Sequence, residues 1–211
     1  MQNKNKRVFK IVLTGGSCGG KTTATHILKD KLEKLGYNVF IIPEISTELD
    51  LKGYTLEKLG REKWQEMILR WQIAKEDIIY KKANMSKRLS IIICDRGALD
   101  GQAYVSESLF NSILNRLKLN KEDLYRRYDL VFHMKSIALD FPEKYENTSN
   151  PMRREDIGAS KMIDRKLQNI WAIHSNQYIV DNSTDLNGKV NKVFTEIIKY
   201  IEKNINIDKE R

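Results

Sequence analysis

Glycines, a lysine and a hydroxyl at fixed spacing set up phosphate chemistry at Gly15-Gly16-Ser17-Cys18-Gly19-Gly20-Lys21-Thr22, which fits G-x-x-x-x-G-K-[ST]. Glycines let the backbone curl until successive N–H groups face one point, an anion nest with no Cβ atoms in the way. The turn then opens a helix at Lys21, whose positive dipole end faces the same phosphates. Lys21 would reach the β/γ-phosphate oxygens, and Thr22 would set its hydroxyl on Mg²⁺. The apolar run 8–13 reads as the strand that must precede such a turn. The expected nucleotide contacts are therefore Gly15, Gly16, Ser17, Cys18, Gly19, Gly20, Lys21, Thr22 and Thr23. The bare alternative, a glycine-rich turn that binds nothing, would not need the lysine and hydroxyl at those positions.

Further along, Asp95 follows three isoleucines and ends a strand, where a carboxylate could hold Mg²⁺ beside Thr22. Arg96 comes next and could face an acceptor or a transferring phosphoryl group. Glu44 leaves the second strand after Pro43. It could accept the proton of an attacking hydroxyl, cap the next segment, or pair with Arg96. Arg153 and Arg154 sit in a polar stretch bounded by Pro142 and Pro151, and the segment 141–160 reads as a lid whose arginines swing over a polyphosphate. Gln72 reads either as a contact to an acceptor's amide or base edge, or as an exposed side chain. His26, His133 and His174 share no spacing and read as packing or surface residues.

These groups need a scaffold. Five β-rich runs, 8–13, 39–42, 91–94, 130–134 and 178–181, alternate with helical patterns, and their Val/Ile/Leu character predicts a parallel sheet covered on both faces. Helices are expected over 21–35, 56–87, 100–117 (in whole or part), 120–127, 161–174 and 190–205. The last carries an apolar stripe that should dock on the sheet. No repeat or Pro/Gly-rich linker interrupts the chain, so residues 1–211 are expected to form one α/β domain.

Composition narrows the setting. No stretch approaches the roughly 20 apolar residues of a membrane helix. No secretory signal is visible, and the two cysteines suit reduced thiols, which together predict a cytoplasmic protein. The net charge of +9 fits a basic surface around an anion site; an acidic phospholipid surface is the other partner it would suit. Nucleic acid is not expected, since no zinc spacing, RNP-like strand or helix-turn-helix pattern accompanies the charge. Asn120-Lys121-Glu122-Asp123 matches the N-K-x-D guanine-reading tetrapeptide, yet it follows a helix rather than a strand. It predicts a helix N-cap with an acidic third position instead.

Taken in order, Gly15–Thr22, Pro43-Glu44, Asp95-Arg96-Gly97 with Asp100, Ala103-Tyr104, Asn150 with Arg153 and Glu155, Asp164, Trp171, His174 and Asp181-Asn182 resemble the NadR/TRPL-translocation-defect-type AAA domain. That domain is a nucleoside-kinase-like branch of the P-loop NTPases, and the resemblance runs from about residue 9 to 189. It implies a three-layer α/β/α fold with strand order 2-3-1-4-5 and an arginine lid. It implies Mg²⁺ with ATP or GTP, and a γ-phosphoryl passed to the hydroxyl of an unidentified small-molecule, nucleoside-like acceptor. By the same resemblance, Asp181–Thr184, Asn182 among them, would line the base pocket. Eukaryotic members look like GTP- and phosphoinositide-binding trafficking proteins with a second, triphosphate-tunnel-like domain, for which residues 1–211 offer no segment. A nucleotide-regulated protein at phosphoinositide-containing membranes is therefore the alternative function.

Overall fold

The apolar runs form strands, the three at the centre of the sheet buried along their whole length and the two at its edges only in part. A computed structural model, which describes residues 8–144 and 156–207, sets five of them in parallel. They are β1 (Val8–Thr14), β2 (Asn38–Ile42), β3 (Ser90–Asp95), β4 (Leu130–Met134) and β5 (Gln177–Val180), in the order β2-β3-β1-β4-β5 that the resemblance implied. β1 is central. Leu13 pairs with Asp95 on one side and with Phe132 on the other. This register brings the turn after β1 and the ends of β3 and β4 to one edge, where open parallel sheets bind ligands.

Strand alternation divides the core. Phe9, Ile11 and Leu13 face α1 (Lys21–Lys34) and α8 (Leu186–Ile207), whose Val190, Val193, Ile197 and Ile201 are buried on the sheet. The α8 stripe is thus core-facing, and no described helix is long and apolar enough to cross a membrane. Val8 and Val12 point the other way, toward α2 (Ile45–Leu51), α3 (Leu56–Asn84), α4 (Glu107–Leu117), α5 (Lys121–Arg126) and α7 (Ile157–Trp171). A single turn, α6 (Ile137–Asp140), follows β4. Helices on both faces complete three layers.

Several expected boundaries shift for local reasons. Residues 100–117 are not one helix: a 3₁₀ turn, Asp100–Tyr104, gives way at Ser106, whose side chain accepts from the Leu109 N–H and starts α4. α7 begins four residues before the expected 161, because Asp156 caps it by accepting from the Ala159 N–H at 2.7 Å. α2 was not expected at all; only Ile45 and Leu49 are buried in it, too few to display a period. α3 kinks at Gly60, which sits at φ 73°. Asn120 caps α5 as expected, accepting from the N–H groups of Glu122 and Asp123.

Candidate functional site

The loop between β1 and α1 can take its shape only with glycine at certain points. Gly15 has φ +127°, and a Cβ there would lie 2.2 Å from the Met134 carbonyl oxygen at the end of β4. Gly20 has φ +83° and is pressed by the Leu186 side chain at the head of α8. Within the loop, Lys21 is buried and donates to the Gly16 carbonyl at 2.6 Å. Thr22 and Thr23 stand exposed on the first turn of α1. The Thr22 hydroxyl donates to Asp95 Oδ2 at 2.5 Å.

Asp95 is the least satisfied group of the site. It is buried, and its Oδ1 has no hydrogen-bond partner among the described residues. Burial raises its pKa above the usual carboxylate value, and the charge of Glu44 adds to the rise; Lys21, Thr22 and Arg96 oppose it. Arg96 adopts φ +79°, in the left-handed region, and turns its guanidinium back over the loop. Its Nε donates to Glu44 Oε1 at 2.5 Å, its Nη1 to the Gly15 carbonyl at 3.4 Å, and Nη1 lies 3.7 Å from Asp100 Oδ2. Burial pulls the Arg96 pKa down, but Tyr104, Glu44 and Asp100 more than offset it, so the cation persists. Glu44 also accepts from the Thr47 hydroxyl at 3.0 Å. Of the roles open to Glu44, the pairing with Arg96 is present, and Glu44 also stands at the N-cap of α2 without a side-chain cap bond.

Four further side chains support this cluster: Asp100 and Asp164, which had no assigned role, and His133 and Gln72, whose partners were not foreseen. Asp100 accepts from Thr14 Oγ1 at 2.9 Å and from Trp171 Nε1 at 2.7 Å. Asp164 accepts from the Gly16 N–H at 2.7 Å and the Ser136 N–H at 3.0 Å, and pairs with His133 Nε2 at 3.0 Å. His133 is fully buried, the packing alternative of the two expected for it, and a polar residue inside the apolar strand β4 was the signal for its bond to Asp164. Gln72, expected to be exposed or to touch an acceptor, is instead buried and donates to Glu76 at 2.8 Å and to the Arg96 carbonyl at 3.3 Å.

A cavity of about 430 Å³ opens beside the loop, lined among others by Cys18, Gly19, Gly20, Asn182, Leu186 and Lys189. Asn182 therefore lines a pocket next to the loop, with its amide nitrogen donating to the Ser136 carbonyl at 3.0 Å and to Asp140 at 2.7 Å. Its oxygen accepts from Lys189 Nζ. Burial lowers the Lys189 pKa, against the pull of Asp164, Asp140 and Asp181. Both cysteines are free thiols. Lys21, Thr22, Asp95, Arg96 and Glu44 thus converge, whereas Arg153, Arg154 and most of the expected lid lie outside the described residues. No group of three or more His, Cys, Asp or Glu suited to a metal occurs among the described residues.

Known proteins match this chain in family and in fold. A family model described as an AAA domain matches residues 10–189. A deoxyadenosine kinase from M. mycoides, with products dCMP and a flexible dCDP bound, is similar in structure (TM-score 0.61, 14% identity, 90% of this chain and 100% of that one). The same kinase with bound dATP gives 0.58 at 14% identity, over 90% and 98% of the chains. Thymidylate kinase from Ehrlichia chaffeensis gives 0.59 at 19% identity, over 91% and 97%. No curated protein matches in sequence.

Proposed function

Because the chain belongs to the AAA-domain family whose model spans residues 10–189, and shares the P-loop kinase fold, we propose that it is a Mg²⁺-dependent phosphotransferase. It binds ATP or GTP along Gly15–Thr23 and passes the γ-phosphoryl group to the hydroxyl of a small nucleoside-like acceptor. The observation that carries this reading is the Thr22–Asp95 pair at the mouth of the loop, where a buried carboxylate oxygen has no partner among the described residues. Native proteins rarely bury such an atom unused. Mg²⁺ suits it, since this ion is commonly held by one or two protein oxygens, with phosphates and water completing its shell. Bound there by Thr22 and Asp95, the ion would neutralise charge on the transferring phosphates.

The remaining residues divide the work. Lys21 leaves the Gly16 carbonyl for the β/γ-phosphate oxygens. Arg96 offsets charge on the phosphoryl group in flight. Glu44 receives the acceptor's proton as the new P–O bond forms and the bond to the β-phosphate breaks, releasing the nucleoside diphosphate. The lid arginines Arg153 and Arg154 would complete the cationic shell. The cavity at Asn182 would hold the base.

The test incubates the protein with Mg²⁺ and γ-labelled ATP or GTP against a nucleoside panel that includes nicotinamide riboside. Label should move to one acceptor. Slow hydrolysis with no acceptor labelled would remove the kinase reading. The alternative, recruitment to phosphoinositide-containing membranes, has only the net charge of +9 in its support.

A further inference from the structure

One face of α7 is bonded to the site at two points, the middle of the helix and its C-terminal end. Asp164 and Trp171 lie seven residues apart, two turns or about 10 Å along the helix, and so share a side. At the first point, Asp164 Oδ1 takes two backbone N–H groups, from Gly16 in the loop and Ser136 after β4. Ser136 in turn donates its hydroxyl to the Ser17 carbonyl at 2.5 Å. The opposite oxygen of Asp164 faces His133 at 3.0 Å. Burial acts to raise the Asp164 pKa, but the hydrogen bond and charge of His133 and the two backbone donors bring it below the usual carboxylate value. Asp164 is therefore a charged acceptor at neutral pH, fixed on the entry of the phosphate loop.

At the second point, the Trp171 ring is fully buried and packed edge-on against Tyr128 and Tyr125. It covers Gly97 so closely that a Cβ there would lie 2.6 Å from its Cζ2 atom, which explains the glycine after Asp95-Arg96. Its indole N–H donates to Asp100 Oδ1 at 2.7 Å. Asp100 uses its other oxygen for the hydroxyl of Thr14, the last residue before the loop, and lies 3.7 Å from the Arg96 guanidinium. A circuit results: helix to loop through Asp164, helix to Asp100 through Trp171, and Asp100 to both Thr14 and Arg96.

We propose that α7 is the spacer that sets the distance between the bound nucleotide and Arg96, with Asp164 positioning the phosphate loop and Trp171 positioning Asp100 and, through it, Arg96. Neither residue touches the reacting atoms. The two anchor points act on different quantities. Asp164 governs how well the loop is formed before nucleotide arrives, hence affinity. Trp171 governs where Arg96 stands once it has arrived, hence turnover. This inference rests on the nucleotide-binding reading above.

The test uses the full chain, the fluorescent analogue mant-ATP with Mg²⁺ for affinity, and basal MgATP hydrolysis for turnover. Asp164→Ala leaves two buried N–H groups unpaired and should weaken mant-ATP binding by about tenfold or more. Asp164→Asn keeps an acceptor oxygen in place and should recover most of that loss. Trp171→Phe keeps the ring but removes the N–H. It should leave affinity within about twofold while slowing hydrolysis by roughly tenfold, as expected when a catalytic group is displaced rather than lost. Parallel loss of affinity and turnover in Trp171→Phe, or no loss in either variant, overturns the spacer. Should Asp164→Ala fail to melt cooperatively, the Trp171→Phe split decides alone. Wild-type protein that binds no mant-ATP would instead sink the nucleotide reading itself, and this inference with it.

Discussion

Two buried carboxylates lie within the sheet's reach and are treated in opposite ways. Glu76, on α3, is fully buried beneath β1. Its Oε2 accepts from Lys10 Nζ at 2.9 Å and Arg127 Nε at 2.8 Å; its Oε1 accepts from Tyr128 Oη at 2.6 Å and Gln72 Nε2 at 2.8 Å. Four donors saturate it. Burial, then the charge of Glu76, pushes the Tyr128 phenol well above its usual range, so that group remains a donor. Asp95, at the end of β3, has among the described residues one donor on one oxygen and none on the other. A folding chain can bury a charge either by filling its shell or by leaving the shell for something that arrives later. The first arrangement holds the fold together. The second costs stability and is kept where chemistry needs it. Gln72 joins the two, since the amide that donates to Glu76 also donates to the Arg96 carbonyl.

If that contrast is right, substitutions at the two carboxylates must fail differently. Glu76→Ala strips Lys10 and Arg127 of a buried partner and orphans the Tyr128 and Gln72 donors. It should cost about 3–5 kcal/mol of stability, the range for breaking a buried ion pair from one side. Urea denaturation measures it. An unchanged midpoint would mean that the saturated shell contributes nothing, and the comparison would break there. Lys21→Ala is the next largest and reverses the pattern. Losing its bond to the Gly16 carbonyl should cost about 1 kcal/mol of stability, well below the loss at Glu76. Nucleotide affinity should fall by about 2 kcal/mol, the scale of a charged hydrogen bond. Calorimetry with ATP or GTP that found equal affinity for both proteins would contradict the loop assignment.

What could be read in the sequence follows the same division. The phosphate loop is contiguous, so Gly15–Thr22 could be recognised as a string, and the register of β1 with β3 then placed Asp95 beside Thr22 as expected. The order of strands came with the resemblance rather than with the periodicity, which gives elements but not neighbours. Asp164 entered with the resemblance but without a role, because its partners Gly16, Ser136 and His133 are far away in sequence and two of the contacts are to backbone. Gln72 misled for a similar reason. A glutamine among apolar helix positions reads as surface until Glu76, one turn on, and the Arg96 carbonyl are known to take its amide. Short helices such as α2 escaped because two buried residues display no period.

The smallest expected effect separates the two carboxylates most finely. In Asp95→Asn the side chain can still accept from Thr22 but no longer has to be ionised without a full shell. Because folding raises the Asp95 pKa, the wild-type residue is at no disadvantage below its unfolded value near 3.8, and its cost appears as pH climbs through the raised folded value. Asp164, whose pKa is lowered, works in the other direction: its contribution is present above the usual carboxylate value and is lost as pH falls. Asp95→Asn should therefore match wild type in acid and exceed it at neutral pH, by about 1 kcal/mol, the scale of one poorly satisfied buried polar atom. The same variant should lose the tightening that Mg²⁺ gives to ATP or GTP binding, since the vacated role is that of a ligand rather than a brace. Urea midpoints across the pH range, with and without Mg²⁺ and nucleotide, read both quantities from one protein. A variant that is less stable than wild type at neutral pH would show that Asp95 is held as fully as Glu76, and that its lone oxygen is not waiting for a metal.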